Sequence, residues 1–549
     1  MNRSPVIASV ALVVLAAGGA AGAVWWNRTA APPSVDGIQR PTAEAAPDGL
    51  PPFDAPEPLP LPSPPPAELA DRPNVLFVVW DTVRADRLSV YGHDKPTTPF
   101  LDRLASQAAV FERAISPSYW TLPSHASLFT GLSVTSHGAN AKYKWLDGRF
   151  VTLAEHFRDD GYDTYAWSSN PNINRSANTV QGFDTFHQPF AQNAWRRKVE
   201  RVTQTLLHPK DQTTRPDPNR YKNISHHKAG NVTHDAFTGW LDARGTNADN
   251  DKPFFAFINY MEAHAYRLPS EAARRTVLSD PRAYRRALRT PNLLKRQTNV
   301  MLGHWKPYTR NQRQGLYDLY DASIWDMDRY LGRLMADLEA RGVLDDTIVV
   351  LTSDHGEQFG EHGLYLHNFS VYQPLVHVPL VLWGPGVAAG RTPDAVSTTA
   401  VFHTLMGLTG LPSPAQPIVD HDLLHDDPVP VVAELTVPCA NPEKRRLDAS
   451  IRDWTASYKA IVAGSNKLIR ASNGQHELYD LASDPRETRN LYDPANPVAA
   501  RLSGVLAEWI MAQPIVTSTA EEQATENALR EAEVDDELMQ QLEELGYTE

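Results

Sequence analysis

Three short stretches carry residue types that could do chemistry together. NVLFVVW ends at Asp81, and VVLTS ends at Asp354-His355-Gly356-Glu357. Both are continuous apolar runs, the pattern of strands buried on two faces. In open α/β sheets, ligands bind just beyond the carboxyl ends of such strands. A single acid there serves as a helix cap or turn former. Two carboxylates and an imidazole meeting at one edge make a divalent-cation site, which points to Asp81, Asp354 and His355 as ligands. The third stretch, SYWTLPSHASLFTG (118–131), places Thr121 and Ser124 around Pro123. Proline is favoured in the first turn of a helix, so Thr121 falls at or just before the helix start. Unsatisfied backbone N–H groups and the positive end of the helix dipole lie there. The Thr121 hydroxyl is then either an ordinary N-cap or, with a cation nearby, an ionised nucleophile.

These groups need a scaffold. Further apolar runs are DTYAWSS (163–169), PFFAFINY (253–260), DTIVVLTSD (346–354) and VPLVLWGPG (378–386). TTPFLDRLASQA opens with a Thr-Pro helix start. A long helix is expected over about 313–342, where Leu316, Tyr320, Ile324, Met327, Leu331, Leu334 and Leu338 form one apolar stripe. It stops at Arg341-Gly342, a C-cap signal. Alternating strands and helices predict an α/β fold with a mostly parallel sheet covered on both faces. This catalytic domain spans 73–414. Residues 190–250 and 267–312 are polar and rich in Arg, Asn and Pro, and they read as insertions over the sheet. Their arginines suit either a substrate lid that draws anions or a solvated helical surface. VPVVAEL, YKAIVAG and NKLIRAS, followed by an amphipathic helix near 496–511, predict a small α+β subdomain over 415–515.

The bulk composition bounds the rest. The chain has 549 residues, 42% apolar, with a formal net charge of −13. That charge argues against a general nucleic-acid binder. Cys439 is the sole cysteine, which excludes an internal disulfide, and no metal-ligand spacing surrounds it. The run from Pro5 to Trp26 holds no charge, and Trp25 and Trp26 sit where an interfacial belt would be. Residues 1–28 read as a membrane anchor or, with Ala21-Gly22-Ala23 as the cleavage site, as a signal segment. Either places the catalytic domain outside the cytoplasm, tethered to the membrane or secreted. Residues 29–72 are Pro/Ala-rich and read as an extended linker. Residues 516–549 form an acidic tail with Leu538, Leu542 and Leu545 on one face.

Five stretches together resemble the sulfatase family of the alkaline-phosphatase superfamily. Thr121-Leu122-Pro123-Ser124-His125 through Thr130-Gly131 matches the frame of the family's Cys/Ser-x-Pro-x-Arg motif. PNVLFVVWDTVRADRLSVYG is similar to its first strand and metal-binding acid, and TSDHGEQFGEHGLYLHN to its second metal motif. FFAFINYMEAHAY resembles the strand ending in a substrate histidine, and KLIRASNGQHELYDLASDPRETRNL the C-terminal signature. The resemblance covers about 73–495. It implies an alkaline-phosphatase-like three-layer sandwich with a C-terminal subdomain. It also implies Asp81, Asp354, His355 and Thr121 around one divalent cation, with Thr121 as nucleophile. His264 would contact the ester or its leaving group. His367 stands where the family often has lysine, and His125 where it has arginine. Asn140 is a further substrate-contact candidate.

The departures from the family pattern agree with one another. Sulfatases convert Cys or Ser to formylglycine, a conversion not expected at threonine. Thr82 replaces a second acid after Asp81, leaving fewer carboxylates for a hard Ca²⁺. Histidines replace Lys and Arg. These features resemble branches that use an unmodified Thr or Ser with Mn²⁺ or Zn²⁺. The expectation is a hydrolase of sulfate or phosphate esters on an anionic glycan, lipid or small molecule, working through a covalent Thr121 intermediate. One alternative is a phosphodiesterase, phosphonate hydrolase or head-group transferase acting on envelope lipids or glycans. Another, of a different class, is an inactive membrane-tethered binding module.

Overall fold

The computed structural model describes residues 56–69, 71–189, 230–245, 252–278, 280–290, 294–412, 421–436, 453 and 455–513. The expected anchor (1–28), most of the linker, residues 190–229 of the first insertion, Cys439 and the acidic tail lie outside them. Among the described residues, no helix is long and apolar enough to cross a membrane.

The chain begins with β1 (Asn74–Trp80), α1 (Pro99–Leu104), β2 (Ala109–Ile115), α2 (Thr121–Thr130), α3 (Val134–His137), α4 (Leu153–Asp159), β3 (Asp163–Ser168) and β4 (Thr185–His187). Then come α5 (Gly230–Gly245), β5 (Phe254–Tyr260), α6 (Glu271–Val277), α7 (Pro281–Arg289), α8 (Leu294–Met301), α9 (Arg310–Ala340) and β6 (Thr347–Thr352). These are followed by β7 (Gln358–Phe359), β8 (Tyr365–Leu366), α10 (Gln373–Val376), β9 (His377–Val378), β10 (Leu380–Trp383), β11 (Gly390–Ser397) and α11 (Val401–Leu408). The C-terminal part is β12 (Val431–Leu435), β13 (Tyr458–Ala463), β14 (Asn466–Ala471), β15 (Glu477–Asp480) and α12 (Pro497–Ala512).

The large sheet has the order β11-β2-β10-β6-β1-β5-β3-β4, with β9 paired to β2. β1 lies between β6 and β5 and is parallel to both. Its side chains alternate between two cores. Leu76, Val78 and Trp80 join the core beneath α9, with Leu316, Ile324, Met327 and Leu331. Val75, Phe77 and Val79 join the opposite core, with Phe129, Phe157, Phe402 and Leu405. The period of two along one strand thus fills both faces, and a three-layer sandwich results. α9 starts from a capping box between Thr309 and Gln312 and runs to Ala340, as its stripe predicts.

Two strands were not legible as apolar runs. β11 is an edge strand carrying Arg391 and Asp394, with an irregularity between Thr392 and Ala395. A strand with one wet face need not be apolar, and its proline falls at the bulge. β2 carries Glu112 and Arg113 in its middle, both partly exposed. β10 runs antiparallel to β6 and β2, and the short β9 antiparallel to β2, within a sheet whose other pairs are parallel.

The C-terminal strands form a separate antiparallel sheet, β12-β13-β14-β15, with α12 packed on it. This subdomain grips the large domain at two loops. Glu434 donates its N–H to the Pro117 carbonyl at 2.8 Å, and Ser118 Oγ donates to the Glu434 carbonyl at 3.0 Å. Lys467 Nζ donates to the Val371 carbonyl and pairs with Glu487, each at 2.6 Å, while Glu487 accepts from Gln373 N–H. Both members of this ion pair are fully buried. Removing one leaves an uncompensated buried charge, at a cost of about 3–5 kcal/mol. Lys467→Met is therefore expected to shift urea unfolding by that amount, with Lys467→Met/Glu487→Leu recovering much of it. A single variant as stable as the unaltered chain would show that the pair holds nothing together.

Candidate functional site

Register brings the strand-end acids together. Val79 pairs with Thr352 across β1 and β6. Continued two residues, the same register sets Asp81 opposite Asp354. Between them the backbone is pinned in an unfavourable conformation. Thr82 has φ 63°, the left-handed region that a β-branched residue avoids. Its N–H donates to Asp354 Oδ1 at 3.2 Å, and its carbonyl accepts from Tyr320 Oη at 2.5 Å. Val83 N–H donates to Ser353 Oγ at 2.9 Å. Gly356 follows because a Cβ there would lie 2.1 Å from the Pro374 carbonyl oxygen.

His355 donates Nδ1–H to the Gly356 carbonyl at 2.9 Å. That bond fixes the tautomer and leaves Nε2 as an acceptor. Nε2 lies 3.3 Å from Asp354 Oδ2 and 3.4 Å from Thr121 Oγ1. Thr121 is the first residue of α2, and the residue before it, Trp120, makes no side-chain cap. The Thr121 hydroxyl turns to side chains of the site, and no bond from a helix N–H to it occurs among the described residues. It accepts from Asn170 Nδ2 at 3.0 Å and faces His355. Ser124 turns elsewhere, to Ser116 Oγ at 3.2 Å. Of the two hydroxyls in the stretch, only Thr121 joins the acids.

Asn170 lies two residues past β3. It donates to Asp81 Oδ2 at 2.7 Å as well as to Thr121. Both partners are acceptors, which fixes the direction of its amide. Its Oδ1 accepts from Asn172 N–H at 2.8 Å. Among the described residues, the buried Asp81 Oδ1 and Asp354 Oδ2 find no hydrogen-bond partner. Burial first, and the Asp354 charge second, push the Asp81 carboxyl up to about 8. Burial pushes Asp354 up to about 7. One ligand atom from each of Asp81, Asp354 and His355 lies within 4.8 Å of the others. Orphaned carboxylate oxygens beside a lone-pair nitrogen and a hydroxyl fit a divalent cation, which would satisfy all of them.

A second cluster adjoins the first. The His367 ring lies 4.6 Å from that of His355 and 5.0 Å from that of His264, centroid to centroid. His367 donates Nδ1–H to Glu357 Oε1 at 3.0 Å, and His264 donates Nδ1–H to the Ala265 carbonyl at 2.6 Å. Burial is the first cause that lowers both imidazoles, His264 to about 3. Glu357 also pairs with Arg267, and both side chains are fully buried. Arg267 in turn donates to the Ala263 carbonyl at 2.7 Å.

His125 donates Nδ1–H to the Thr121 carbonyl at 2.9 Å, and its ring packs against Phe129 and Phe257. Its Nδ1 lies 3.6 Å from Asp354 Oδ2. The side-chain bonds of Asn140 stay within its own loop. It accepts from Lys142 and Tyr143 N–H and donates to the Gly138 carbonyl. The geometry thus gathers Asp81, Thr121, Asp354, His355, His264 and His367, sets His125 beneath them, and engages Asn140 locally. Sequence reasoning passed over Asn170, Glu357 and Arg267. Asn170 obeys the same strand-end rule that selects Asp81. Glu357 directly follows the Asp354-His355-Gly356 stretch. Nothing in the sequence marks Arg267.

The family model described as Sulfatase matches residues 73–411. Arylsulfatase K of Bos taurus is 25% identical over 449 residues, covering 77% of this chain and 78% of its own length. The structure of a phosphonate monoester hydrolase of Agrobacterium radiobacter superposes with a TM-score of 0.60 at 22% identity, covering 80% of this chain and 95% of that one. A protein solved in complex with its substrate, D-glucosamine-2-N,6-O-disulfate, also gives 0.60, at 18% identity and coverages of 80% and 98%. With most of its catalytic domain matched by that model, and strand-end acids and helix-start threonine converging as described, the chain belongs to the sulfatase family of ester hydrolases.

Proposed function

We propose that this chain is a metal-dependent hydrolase that cleaves sulfate or phosphate esters through a covalent bond to Thr121. The observation that carries the reading is the Thr121 hydroxyl. It is free of capping duty and directed at the buried Asp81–Asp354–His355 group. A divalent cation held by these three residues and Thr121 would lower the pKa of the hydroxyl and neutralise charge on the ester's non-bridging oxygens. The ligand set of two carboxylates, one imidazole and one hydroxyl suits Mn²⁺ or Zn²⁺ better than Ca²⁺.

Asn170 orients the Thr121 oxygen, which has released its proton to solvent on ionising and attacks sulfur or phosphorus in line, breaking that atom's bond to the leaving oxygen. The negative charge of the bound ester offsets the burial that holds both imidazoles neutral, so that His264 or His367 gives that oxygen a proton, and Glu357 supports the charge on His367. Water, giving its proton to the histidine that has just released one, then displaces the group from Thr121, because threonine lacks the second hydroxyl that a hydrated formylglycine would use. His125 fixes the first turn of α2 rather than moving protons.

The sulfated amino sugar seen with one protein of like fold supports a sulfated glycan as substrate. The unmodified threonine and the likeness to a phosphonate monoester hydrolase support phosphonate or phosphodiester cleavage as the second reading. The charge-free N-terminal run supports action outside the cytoplasm. The test is an assay of the purified chain on an aryl sulfate, an aryl phosphodiester and an aryl phosphonate monoester, each with Mn²⁺, Zn²⁺ or Ca²⁺. Turnover of at least one ester, strongest with Mn²⁺ or Zn²⁺, is expected. No turnover together with no bound metal would leave only a binding module.

A further inference from the structure

We propose that the insertion over 267–312 is a docking surface for the anionic glycan chain beyond the scissile ester. This rests on the reading of the chain as an ester hydrolase. The insertion holds eleven lysines and arginines against two acids, in a chain whose net charge is −13. Both acids are already engaged. Glu271 binds Arg274, Arg275 and Tyr284, and Asp280 caps α7. Arg282, Arg285 and Arg289 are exposed and make no side-chain hydrogen bond or ion pair among the described residues. Spaced by three and four, they lie within about 60° of arc on one face of α7 and span about 10 Å. The opposite face of α7, formed by Ala283, Tyr284 and Ala287, is buried.

The end of α7 packs on α9. Thr290, next after Arg289, lies against Gly315. The first residue of that helix, Arg310, is exposed, as is Lys306 in the loop before it. Trp305 in the same loop is 43% exposed. The insertion begins three residues after His264, at Arg267. At its other end Tyr308 packs on Tyr365, ring centroids 5.4 Å apart, two residues before His367. The segment that carries the basic surface therefore starts and ends beside the two histidines of the site.

The chemistry favours a glycan. Guanidinium forks match sulfate and carboxylate groups bidentately, and an exposed indole offers a flat face to a sugar ring. A bilayer is the poorer fit, because the apolar face of α7 is already packed and cannot insert into lipid.

The test uses the full chain and Arg282→Glu/Arg285→Glu/Arg289→Glu, none of which touches the catalytic groups. Binding to fluorescent heparin is measured at increasing salt, with dextran as the uncharged control and phosphatidylserine-containing vesicles as the lipid probe. The triple variant is expected to bind heparin at least about tenfold more weakly, with a shallower salt dependence. Its turnover of a small aryl ester stays unchanged. Heparin binding that ignores the three arginines overturns the proposal, as does tighter binding to vesicles than to heparin through the same residues. An unaltered chain that binds heparin through these arginines but cleaves no ester keeps the surface and removes the catalytic reading instead.

Discussion

Replacing Thr121 with alanine is expected to lower kcat by about 10³-fold or more, as loss of a covalent nucleophile does. The change should leave the fold intact. The hydroxyl caps nothing, and the Asn170 amide keeps its bond to Asp81 at 2.7 Å. Thermal unfolding should therefore move little while turnover collapses. Thr121→Ser retains the oxygen at the same helix position and should recover much of the activity. Ser124→Ala removes only the contact with Ser116 and should turn over like the unaltered chain. Acid quench during wild-type turnover should yield a peptide spanning 118–131 with the transferred group on Thr121. Full activity in Thr121→Ala would end the covalent reading outright.

Asp354→Asn is expected to abolish metal binding and to cost a comparable factor in turnover. Asparagine keeps the Oδ1 acceptor that pins Thr82 N–H, so the loss isolates charge from shape. A pH signature accompanies it. Without a cation, Asp81 and Asp354 are pushed up from 3.8 to about 8 and about 7. The metal-free fold then holds protons that the unfolded chain releases near pH 4. The stability this adds is fully present below that pH and is lost as pH rises through 7 and 8. The slope approaches about 1.4 kcal/mol per pH unit for each group. Cation binding needs both carboxylates ionised, so its stabilisation grows over the same window. The gap in Tm between metal-loaded and EDTA-treated protein should widen from pH 5.5 to 8, and Asp354→Asn should erase the widening. A gap that stays constant with pH, or a variant that retains metal by elemental analysis, would show that the cation does not sit on these carboxylates.

Much of this site was legible before any contact was known. Asp81 and Asp354-His355 end apolar runs, and Thr121 stands two residues before a helix-start proline. The stripe of α9 and the strands of the C-terminal sheet were equally plain. Other parts were hidden for identifiable reasons. β11 lies at an edge, so its sequence is polar. Asn140, placed by motif, makes only the bonds of its own turn. His125 shares its helix with Thr121 and packs on Phe257 from β5, a partner far away in the chain. Glu357 and Arg267 meet across ninety residues, so no local pattern announces them.

The order of residues alone determined most of the strands and helices, β2 and the edge strand β11 excepted, because burial periodicity and helix-start chemistry act over a few neighbouring positions. It also placed the acids at the ends of strands. The tertiary structure alone decided that Thr121 faces those acids, that Asn170 spans from Asp81 to Thr121, and that Glu357 links His367 to Arg267. Such meetings depend on strand order and register, which are set by packing between segments far apart in the chain.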